Sequence, residues 1–370
     1  MVLHILPDDK FTDYVLNQFL EEEMQSELVV IPSGAGHTFI KHENIKIISY
    51  PSEEFSQLLK RLDTYSGVIL HGIFWPYCED IIKAASSRLK IAWYFWGAEL
   101  YARPDVIVSS IAPITKFLYH IHNWKKCNKI RNTQWQLDLY LYKRINYCLT
   151  SMYEEYVYAK KYTHSEMQFL WYTYYSVDDT LGSLLTKRSK GNNVMLCNSA
   201  ALNNNVFDAV FRLSLPSYKT KIEGREIIMP LSYGCQWIRN LMLKLGPKCF
   251  DKYTPLIDFL PREQYNEIML SCSTLILPYH TPAGQGNIIT ALWLGLRVYL
   301  SERSIAYNYF KRIGAHIYSF ETDFEVYGCE ILPDESVEHN RQILRNVYGV
   351  EEIRKANNKL IRILEGENTK

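Results

Sequence analysis

The chain has 370 residues, of which 47% are hydrophobic, so it can bury the cores of two domains and is not a disordered polypeptide. Its formal net charge of +1 gives no global case for nucleic-acid binding. No apolar run approaches the roughly 20 residues that span a bilayer, and the N-terminal stretch lacks the basic start and long apolar core of a signal peptide. We therefore expect a soluble or peripheral protein of the cytoplasm.

The first half of the chain alternates short apolar runs with amphipathic segments. The apolar runs predict strands at 2–6, 28–31, 45–49, 67–70, 91–95 and 145–149, and the amphipathic segments predict helices at 10–23, 52–62, 77–87 and 152–161. Continuous apolar strands separated by helices are typical of a parallel sheet that is covered on both faces. Ligands of such sheets bind beyond the carboxyl ends of the strands, which is where we expect Asp9, His71 and Glu99.

The segment 103–144 breaks this alternation. Between Lys116 and Arg144 the only acidic residue is Asp138, and aromatic residues are interleaved with the basic ones. Such a segment is typical either of a solvated helix with an aromatic core side or of a peripheral contact with an anionic membrane. In the membrane interpretation the contact residues are Lys116, Trp124, Lys125, Lys126, Lys129 and Arg131.

A polar run at 184–193 predicts a linker, and a second alternating series follows it. Strands are predicted at 194–197, 226–229, 256–259, 273–277, 297–300 and 317–319, and helices at 206–213, 237–245, 261–270, 287–294, 336–348 and 350–364. A loop with two prolines and two glycines precedes the helix at 287–294. The free N–H groups and positive dipole end of that helix suit a phosphate, although the loop matches neither of the common nucleotide-binding glycine motifs.

Several short motifs together resemble a known enzyme family. They are His71-Gly72, the Trp-Gly-Ala-Glu-Leu-Tyr run at 96–101, Cys197-Asn198-Ser199, the turn at 228–234, and Gly286-Asn287 followed by 291–295. The chain resembles glycosyltransferase family 56 from Ile5 to about Phe320. Members of this bacterial family transfer N-acetylfucosamine from a dTDP-sugar to a polyprenyl-diphosphate-linked glycan.

The resemblance implies an α/β protein of the GT-B fold, with two Rossmann-like domains whose parallel sheets face a central cleft. We expect an acceptor-binding domain at 1–185 that carries the insertion 103–144, a nucleotide-sugar-binding domain at 190–345, and a C-terminal helix at 346–370 that packs back towards the first domain. The implied reaction is the inverting transfer of an amino-deoxy sugar from a dTDP- or UDP-sugar, without a metal or cofactor. The implied setting is bacterial surface polysaccharide synthesis, such as O-antigen synthesis, on the inner face of the cell membrane.

The donor diphosphate needs N–H groups, hydroxyls or cations to stabilise it as it leaves. The residues expected to supply them follow the first and fourth strands of the second series or the strand at 226–229: Asn198, Ser199, Tyr233, Tyr279, His280, Gln285, Gly286 and Asn287. The family pattern has an Arg-Gln-Gln-like run before the glycine, whereas this chain has Thr-Pro-Ala-Gly-Gln-Gly at 281–286, so no cation is supplied there. Arg225 precedes its strand and is discounted, and ordinary N-capping is the alternative role of Ser199 and Asn287.

An inverting transferase also needs a general base that takes the proton of the acceptor hydroxyl. Glu99 ranks first because it lies in the most specific motif, with His71 and Asp9 as alternatives. His71 could instead line the acceptor pocket, and Asp9 could cap the following helix. The segment 286–295 contains no acidic residue, whereas retaining GT-B enzymes usually carry glutamates around this helix, and this favours inversion.

Two further interpretations stay open. A nucleotide-sugar 2-epimerase of GT-B architecture would bring acids and a histidine onto one donor, and a non-catalytic nucleotide-sugar or glycan-binding subunit would keep the phosphate residues without the base. The eight cysteines form no CxxC pair, and no His/Cys cluster has the spacing of a zinc site. The partners that the resemblance implies are a nucleotide-sugar donor, a lipid-linked glycan acceptor and the inner membrane. The net charge does not favour a nucleic acid.

Overall fold

The computed structural model describes residues 1–9, 11–20, 25–32, 40, 42, 45–124 and 137–366. The chain divides into two compact units. The first unit contains Met1–Arg103, Asn132–Ser176 and Tyr348–Lys370, and the second contains Pro104–Arg131 and Val177–Val347.

The described strands form two sheets, and every pairing in both sheets is parallel. The strands are β1 Val2–Pro7, β2 Ser26–Ile31, β3 Lys46–Ile47, β4 Gly67–His71, β5 Lys90–Tyr94, β6 Tyr147–Thr150, β7 Gln168–Trp171, β8 Asn193–Leu196, β9 Glu226–Pro230, β10 Lys252–Leu256, β11 Cys272–Leu277, β12 Arg297–Leu300 and β13 Tyr318–Ser319. The predicted two-sheet α/β class is confirmed.

The described α-helices connect these strands. They are α1 Thr12–Phe19, α2 Glu53–Lys60, α3 Pro76–Ala84, α4 Ala98–Tyr101, α5 Pro104–Ser110, α6 Pro113–Trp124, α7 Tyr153–Thr163, α8 Val177–Leu181, α9 Val206–Leu213, α10 Pro216–Lys219, α11 Gln236–Cys249, α12 Arg262–Leu270, α13 Gln285–Leu294, α14 Ile305–Arg312, α15 Phe324–Tyr327, α16 Asp334–Tyr348 and α17 Val350–Glu365. None of the helices in these described ranges has the length and apolar content needed to cross a membrane.

Both sheets have the same strand order around a switch point. The first sheet runs β3-β2-β1-β4-β5-β6-β7, and the second runs β10-β9-β8-β11-β12-β13. In each sheet the first three strands are added towards one side and the fourth is added on the other side of the first. The loop after β1 therefore lies beside the loop after β4, and the loop after β8 lies beside the loop after β11. Open parallel sheets bind ligands in the crevice beyond the strands at this point.

The strands at the switch points are buried throughout and mostly apolar, because both of their faces are covered. All six residues of β1 and all six of β11 are buried. A run of this kind cannot show the alternation of a half-exposed strand, which is why the sequence predicts a parallel sheet with helices on both sides.

The segment Pro104–Arg131 is grouped with the second unit, whereas the sequence pattern attached 103–144 to the first domain. The reason lies at the start of α6. The N–H groups of Ile114 and Thr115 each donate to one oxygen of the Asp208 carboxylate at 2.8 Å, and Asp208 belongs to α9 of the second unit. These bonds satisfy two N–H groups that a helix N-terminus leaves without an intrahelical partner.

The C-terminal helix α17 packs on the first sheet. The side chain of Leu364 lies against Gly67 at the start of β4, where an added Cβ would approach it to 2.9 Å. The Lys90 amine donates to the Ile363 carbonyl, and Asn357 donates to Gln18 of α1 at 3.2 Å. These contacts tie the end of the chain to the beginning of the first unit.

Candidate functional site

Glu99 lies in a buried turn just beyond β5. Gly97 has φ of +92°, a conformation that glycine adopts without strain, and it turns the chain so that the carboxylate folds back on its own loop. The Oε1 atom accepts hydrogen bonds from the backbone N–H groups of Ile73 and Trp96, both at 3.2 Å, and from the Trp93 indole at 3.1 Å. The Oε2 atom is buried without a hydrogen-bond partner.

Burial raises the pKa of Glu99 to about 7, although its hydrogen bonds act in the opposite direction. The side chain is 5% exposed. A carboxyl group with one oxygen anchored, the other unpartnered and a pKa near neutrality has the properties of a general base.

His71 lies at the end of β4 and is hydrogen-bonded to His4, not to Glu99. Its Nε2 lies 3.1 Å from Nδ1 of His4, and the Nδ1 of His71 and the Nε2 of His4 are buried without partners. Burial, and after it the neighbouring His4, holds the pKa of His71 well below its usual range. Burial lowers the pKa of His4 to about 3. The pair is therefore neutral at physiological pH.

Asp9 organises the turn that leads from β1 into α1. Its Oδ1 accepts from the N–H of Phe11 at 3.2 Å, and its carbonyl accepts from the N–H of Thr12 at 3.0 Å. The Thr12 hydroxyl in turn donates to the carbonyl of Pro7 at 2.7 Å. This is the helix-start role that the sequence left open as the alternative for Asp9.

Asn198 lies at the switch point of the second sheet, directly beyond β8. The Tyr279 hydroxyl, which follows β11, donates to Oδ1 of Asn198 at 2.7 Å and accepts the N–H of Asn198 at 2.7 Å. Asn204 donates to the same Oδ1 at 3.2 Å. Two donors on one atom identify that atom as the oxygen of the carboxamide, so the NH₂ group is the end that stays available for a ligand.

The Asn198 NH₂ group lies beside the N-terminus of α13. Gly284 precedes that helix with φ of +77°, and a Cβ added there would lie 3.1 Å from Nδ2 of Asn198. The first N–H groups of a helix have no intrahelical acceptor, and the helix dipole is positive at this end. Amide hydrogens from Asn198 and from the first turn of α13 thus lie in one place, as an anion site requires.

Tyr279 and Ser199 support this site from inside rather than line it. Tyr279 and Ser199 are each 2% exposed. The Ser199 hydroxyl accepts from Asn204 at 2.8 Å and from the N–H of Ala201 at 3.3 Å, and it also contacts the hydroxyl of Tyr233. Ser199 therefore holds the loop after β8, and Tyr233, at 52% exposed, is the member of this group that solvent reaches.

The remaining predicted donor residues begin α13 or precede it. Gln285 and Gly286 are the first two residues of that helix, and Asn287, the third, contacts the hydroxyl of Tyr265 on α12. His280 lies in the loop after β11. Burial, and after it the nearby Arg303, lowers the pKa of His280.

Arg303 is a residue that the sequence analysis missed. It follows β12, and its loop meets the loop after β11, where the Ser304 hydroxyl lies 3.5 Å from the carbonyl of Thr281. The signal that could have found it is its position just beyond a predicted strand. Arg225, by contrast, lies at the opposite edge of the sheet and donates to Asn192 and Ser273, so discounting it agrees with its position.

A cavity of about 440 Å³ lies at this opposite edge, beside the starts of β9 and β10. Ile222, Arg225, Phe250 and Asp251 are among its lining residues. It is separate in position from the carboxyl edge of the sheet, where the loops after the strands and the start of α13 contain the predicted donor residues.

The predicted membrane residues are only partly described. Lys116 is exposed on α6. Trp124 ends that helix, but its side chain is outside the described part of the structure, as are Lys125, Lys126, Lys129 and Arg131. Within the described ranges, no group of three or more His, Cys, Asp or Glu side chains is placed to hold a metal ion.

The chain matches no protein-family model, and no curated protein matches it in sequence. Solved structures, however, are similar along its whole length. A glycosyltransferase from Rickettsia africae covers 99% of both chains at 11% identity, with a TM-score of 0.62. The lipopolysaccharide outer core galactosyltransferase WaaB covers 98% of this chain and 99% of its own, at 10% identity and a TM-score of 0.62.

A third similar structure is the α,α-trehalose-phosphate synthase (UDP-forming) from Burkholderia xenovorans in complex with glucose-6-phosphate. It covers 99% of this chain and 100% of its own, at 8% identity and a TM-score of 0.60. At these identities the similarity concerns the fold and not the substrates. The two parallel sheets and this similarity establish that the chain has the GT-B fold of solved glycosyltransferases.

Proposed function

We propose that this protein is a glycosyltransferase that takes its sugar from a nucleoside-diphosphate donor held at the carboxyl edge of the second sheet. The observation that carries the proposal is the Asn198 carboxamide, whose NH₂ group is fixed by Tyr279 and Asn204 beside the N-terminus of α13. The GT-B fold supports this proposal, because the three similar structures are described as a glycosyltransferase, a galactosyltransferase and a UDP-forming synthase.

The chemistry of this edge suits a departing diphosphate. When the bond between the anomeric carbon and the diphosphate breaks, negative charge accumulates on the diphosphate oxygens and must be stabilised. Asn198 and the first turn of α13 offer preorganised N–H donors, and Arg303 supplies a cation from the neighbouring loop. Residues of this chain can therefore carry out the stabilisation, and we propose that transfer needs no metal or cofactor.

We propose Glu99 as the base that receives the proton of the acceptor hydroxyl. As that oxygen forms its bond to the anomeric carbon, Oε2 of Glu99 takes the hydrogen, while Oε1 stays anchored by its three donors. A single base with attack opposite to the leaving diphosphate gives inversion at the anomeric carbon. His71 is bound to His4 and Asp9 to its own turn, which makes them weaker candidates.

For the acceptor we propose a polyprenyl-diphosphate-linked glycan at the inner face of a bacterial membrane. The motif resemblance to glycosyltransferase family 56 supports this acceptor together with an amino-deoxy sugar carried by dTDP or UDP. The similarity to WaaB, which is described as a lipopolysaccharide outer core galactosyltransferase, supports a role in surface polysaccharide synthesis such as O-antigen assembly.

The test is a transfer assay with dTDP- and UDP-sugars, with and without membrane extract, preceded by a thermal-shift screen for the donor that stabilises the protein. We expect nucleotide release only when acceptor is present, a sugar added to the lipid-linked glycan with inverted anomeric configuration, and full activity in EDTA. Nucleotide release without acceptor that yields an epimer would instead identify a 2-epimerase. Donor binding without any turnover would identify a binding subunit.

A further inference from the structure

Helix α6 presents an apolar and basic face to solvent. Lys116, Phe117, His120 and Ile121 are exposed, and their spacing of three and four residues places them on one face of the helix. Phe117 is 64% exposed and Ile121 is 39% exposed, whereas Thr115 and Tyr119 on the other side are buried. We call these four exposed residues the outer face of α6.

The outer face of α6 is held in place by the second unit. The Asp208 carboxylate binds the N–H groups of Ile114 and Thr115, and the Asn205 carboxamide accepts the N–H of Ala112 at 2.8 Å. Near the other end of the helix, the ring of His122 stacks on Trp237 of α11 with centroids 4.8 Å apart. The helix is thus held by the second unit near both of its ends.

The sequence that contains α6 carries basic charge only. The sequence from 113 to 136 contains five lysines and arginines and no acidic residue: Lys116, Lys125, Lys126, Lys129 and Arg131. Exposed aromatic and aliphatic side chains next to basic ones are the combination with which a helix lies in the interface of an anionic bilayer. An apolar protein partner would not require this uniform positive charge.

We infer that the outer face of α6 is the surface through which the protein docks on an anionic lipid bilayer, with Phe117 and Ile121 entering the headgroup region and Lys116 contacting lipid phosphate. The inference rests on the proposed function, which places the acceptor in a membrane. It adds that α6, which is grouped with the unit that carries the donor site, makes this contact.

The experiment is flotation of the full-length protein with phosphatidylglycerol–phosphatidylcholine vesicles and with pure phosphatidylcholine vesicles. We expect the wild type to float with the anionic vesicles only. The double variant Phe117→Ser/Ile121→Ser should bind them about tenfold more weakly, and Lys116→Glu about fivefold more weakly. The matched control is Val326→Ser/Ile331→Ser, which removes two exposed apolar side chains, at 62% and 58%, from another part of the second unit.

Several results would overturn the inference. They are absence of wild-type binding, wild-type-like binding by the Phe117/Ile121 variant, or equal losses in the variant and its control. Light scattering that shows a dimer broken by the Phe117/Ile121 variant would assign the face to self-association. Titration with UDP and dTDP in the absence of vesicles separates this inference from the proposed function: vesicle binding without nucleotide binding contradicts the function alone, and the reverse contradicts the docking surface alone.

Discussion

The two sheets share one topology, yet the loops at their switch points carry different chemistry. Beyond the first sheet lie groups that titrate, Glu99 and His71, both buried and each with a nitrogen or oxygen atom that lacks a partner. Beyond the second sheet, a carboxamide and hydroxyls form one hydrogen-bond network around Asn198. The N-terminus of α13 lies beside this network. The first edge is suited to moving a proton and the second to holding an anion.

This difference follows from how each group responds to burial. Removing a carboxyl from water raises its pKa, so the first edge gains a base that works near neutrality. An amide does not ionise, so burying its supporting residues fixes its direction without changing its charge. The same fold therefore supports two functions because the residues after equivalent strands differ.

The largest expected effect comes from removing the base. Glu99→Gln keeps an acceptor for the three N–H donors but cannot take a proton, so turnover should fall ~10²-fold or more with donor affinity retained. Steady-state transfer kinetics and donor titration measure the two quantities. In the wild type, kcat should rise with pH through about 7 as Glu99 ionises. Near-normal turnover of the variant would move the base to His71 or Asp9.

The next largest effect comes from reversing the charge at the second edge. Asn198→Asp places a carboxylate beside the expected diphosphate, and donor affinity should fall ~10²-fold because like charges repel at close range. Asn198→Ala, which only removes the amide, should cost about tenfold. Asn193→Ala at the other end of β8 is the control and should leave donor affinity unchanged. Equal affinities for wild type and Asn198→Asp would remove Asn198 from the donor site.

A smaller effect is expected from loosening the Asn198 amide without changing it. Tyr279→Phe removes both hydrogen bonds that the phenol makes to Asn198, so the donor KM should rise about tenfold with a smaller change in kcat. Tyr299→Phe is the matched control, since it removes a buried hydroxyl of β12 that donates to the carbonyl of Gly328. A kinetic change of the same size in the control would show that Tyr279 acts through stability alone.

A smaller loss of donor affinity is expected from removing the cation of Arg303. Arg303→Ala should weaken donor binding by about three- to tenfold, because an exposed cation in water contributes modestly. The loss should shrink as salt concentration increases. Arg225→Ala changes a cation at the amino edge of the sheet and should not alter donor affinity. A larger loss of donor affinity in Arg225→Ala than in Arg303→Ala would mean that the diphosphate binds at the amino edge.

Buried titratable groups of the first unit should also make the free energy of unfolding depend on pH. Glu99 and Glu155 have pKa values raised by burial from 4.5 to about 7 and about 8, so the stability they give is complete below pH 4.5 and is lost as pH rises through those values. His4 behaves in the opposite way: its pKa is lowered from 6.5 to about 3, so its contribution is lost as pH falls below 6.5. Glu155→Gln should remove roughly 1–3 kcal/mol of the stability lost between pH 4.5 and about 8 in urea unfolding. An unchanged dependence of stability on pH over that range would contradict this assignment.

The sequence predicted the sheets well because buried parallel strands are continuous apolar runs. It placed Glu99, Asn198 and the start of α13 beyond strand ends, and the structure places them there. Tyr279 was predicted for the same site as Asn198, but its two hydrogen bonds to Asn198 were not, because they depend on the packing of β8 beside β11. His4 was hidden in the same way, as a single polar residue inside an apolar strand.

Two other features depended on long-range contacts. The pattern at 103–144 showed its charge, but the attachment of α6 to the second unit rests on Asn205 and Asp208, some 90 residues away in sequence. Arg303 was missed because it lies in a loop with no distinctive motif, and its relevance appears only when β12 is placed next to β11.

The most direct test of the central claim is a crystal structure of the protein with bound UDP or dTDP. We expect the diphosphate to lie against Nδ2 of Asn198 and the first N–H groups of α13, with the Arg303 guanidinium close to it. A nucleotide bound instead in the cavity beside Arg225, at the amino edge of the second sheet, would contradict the account.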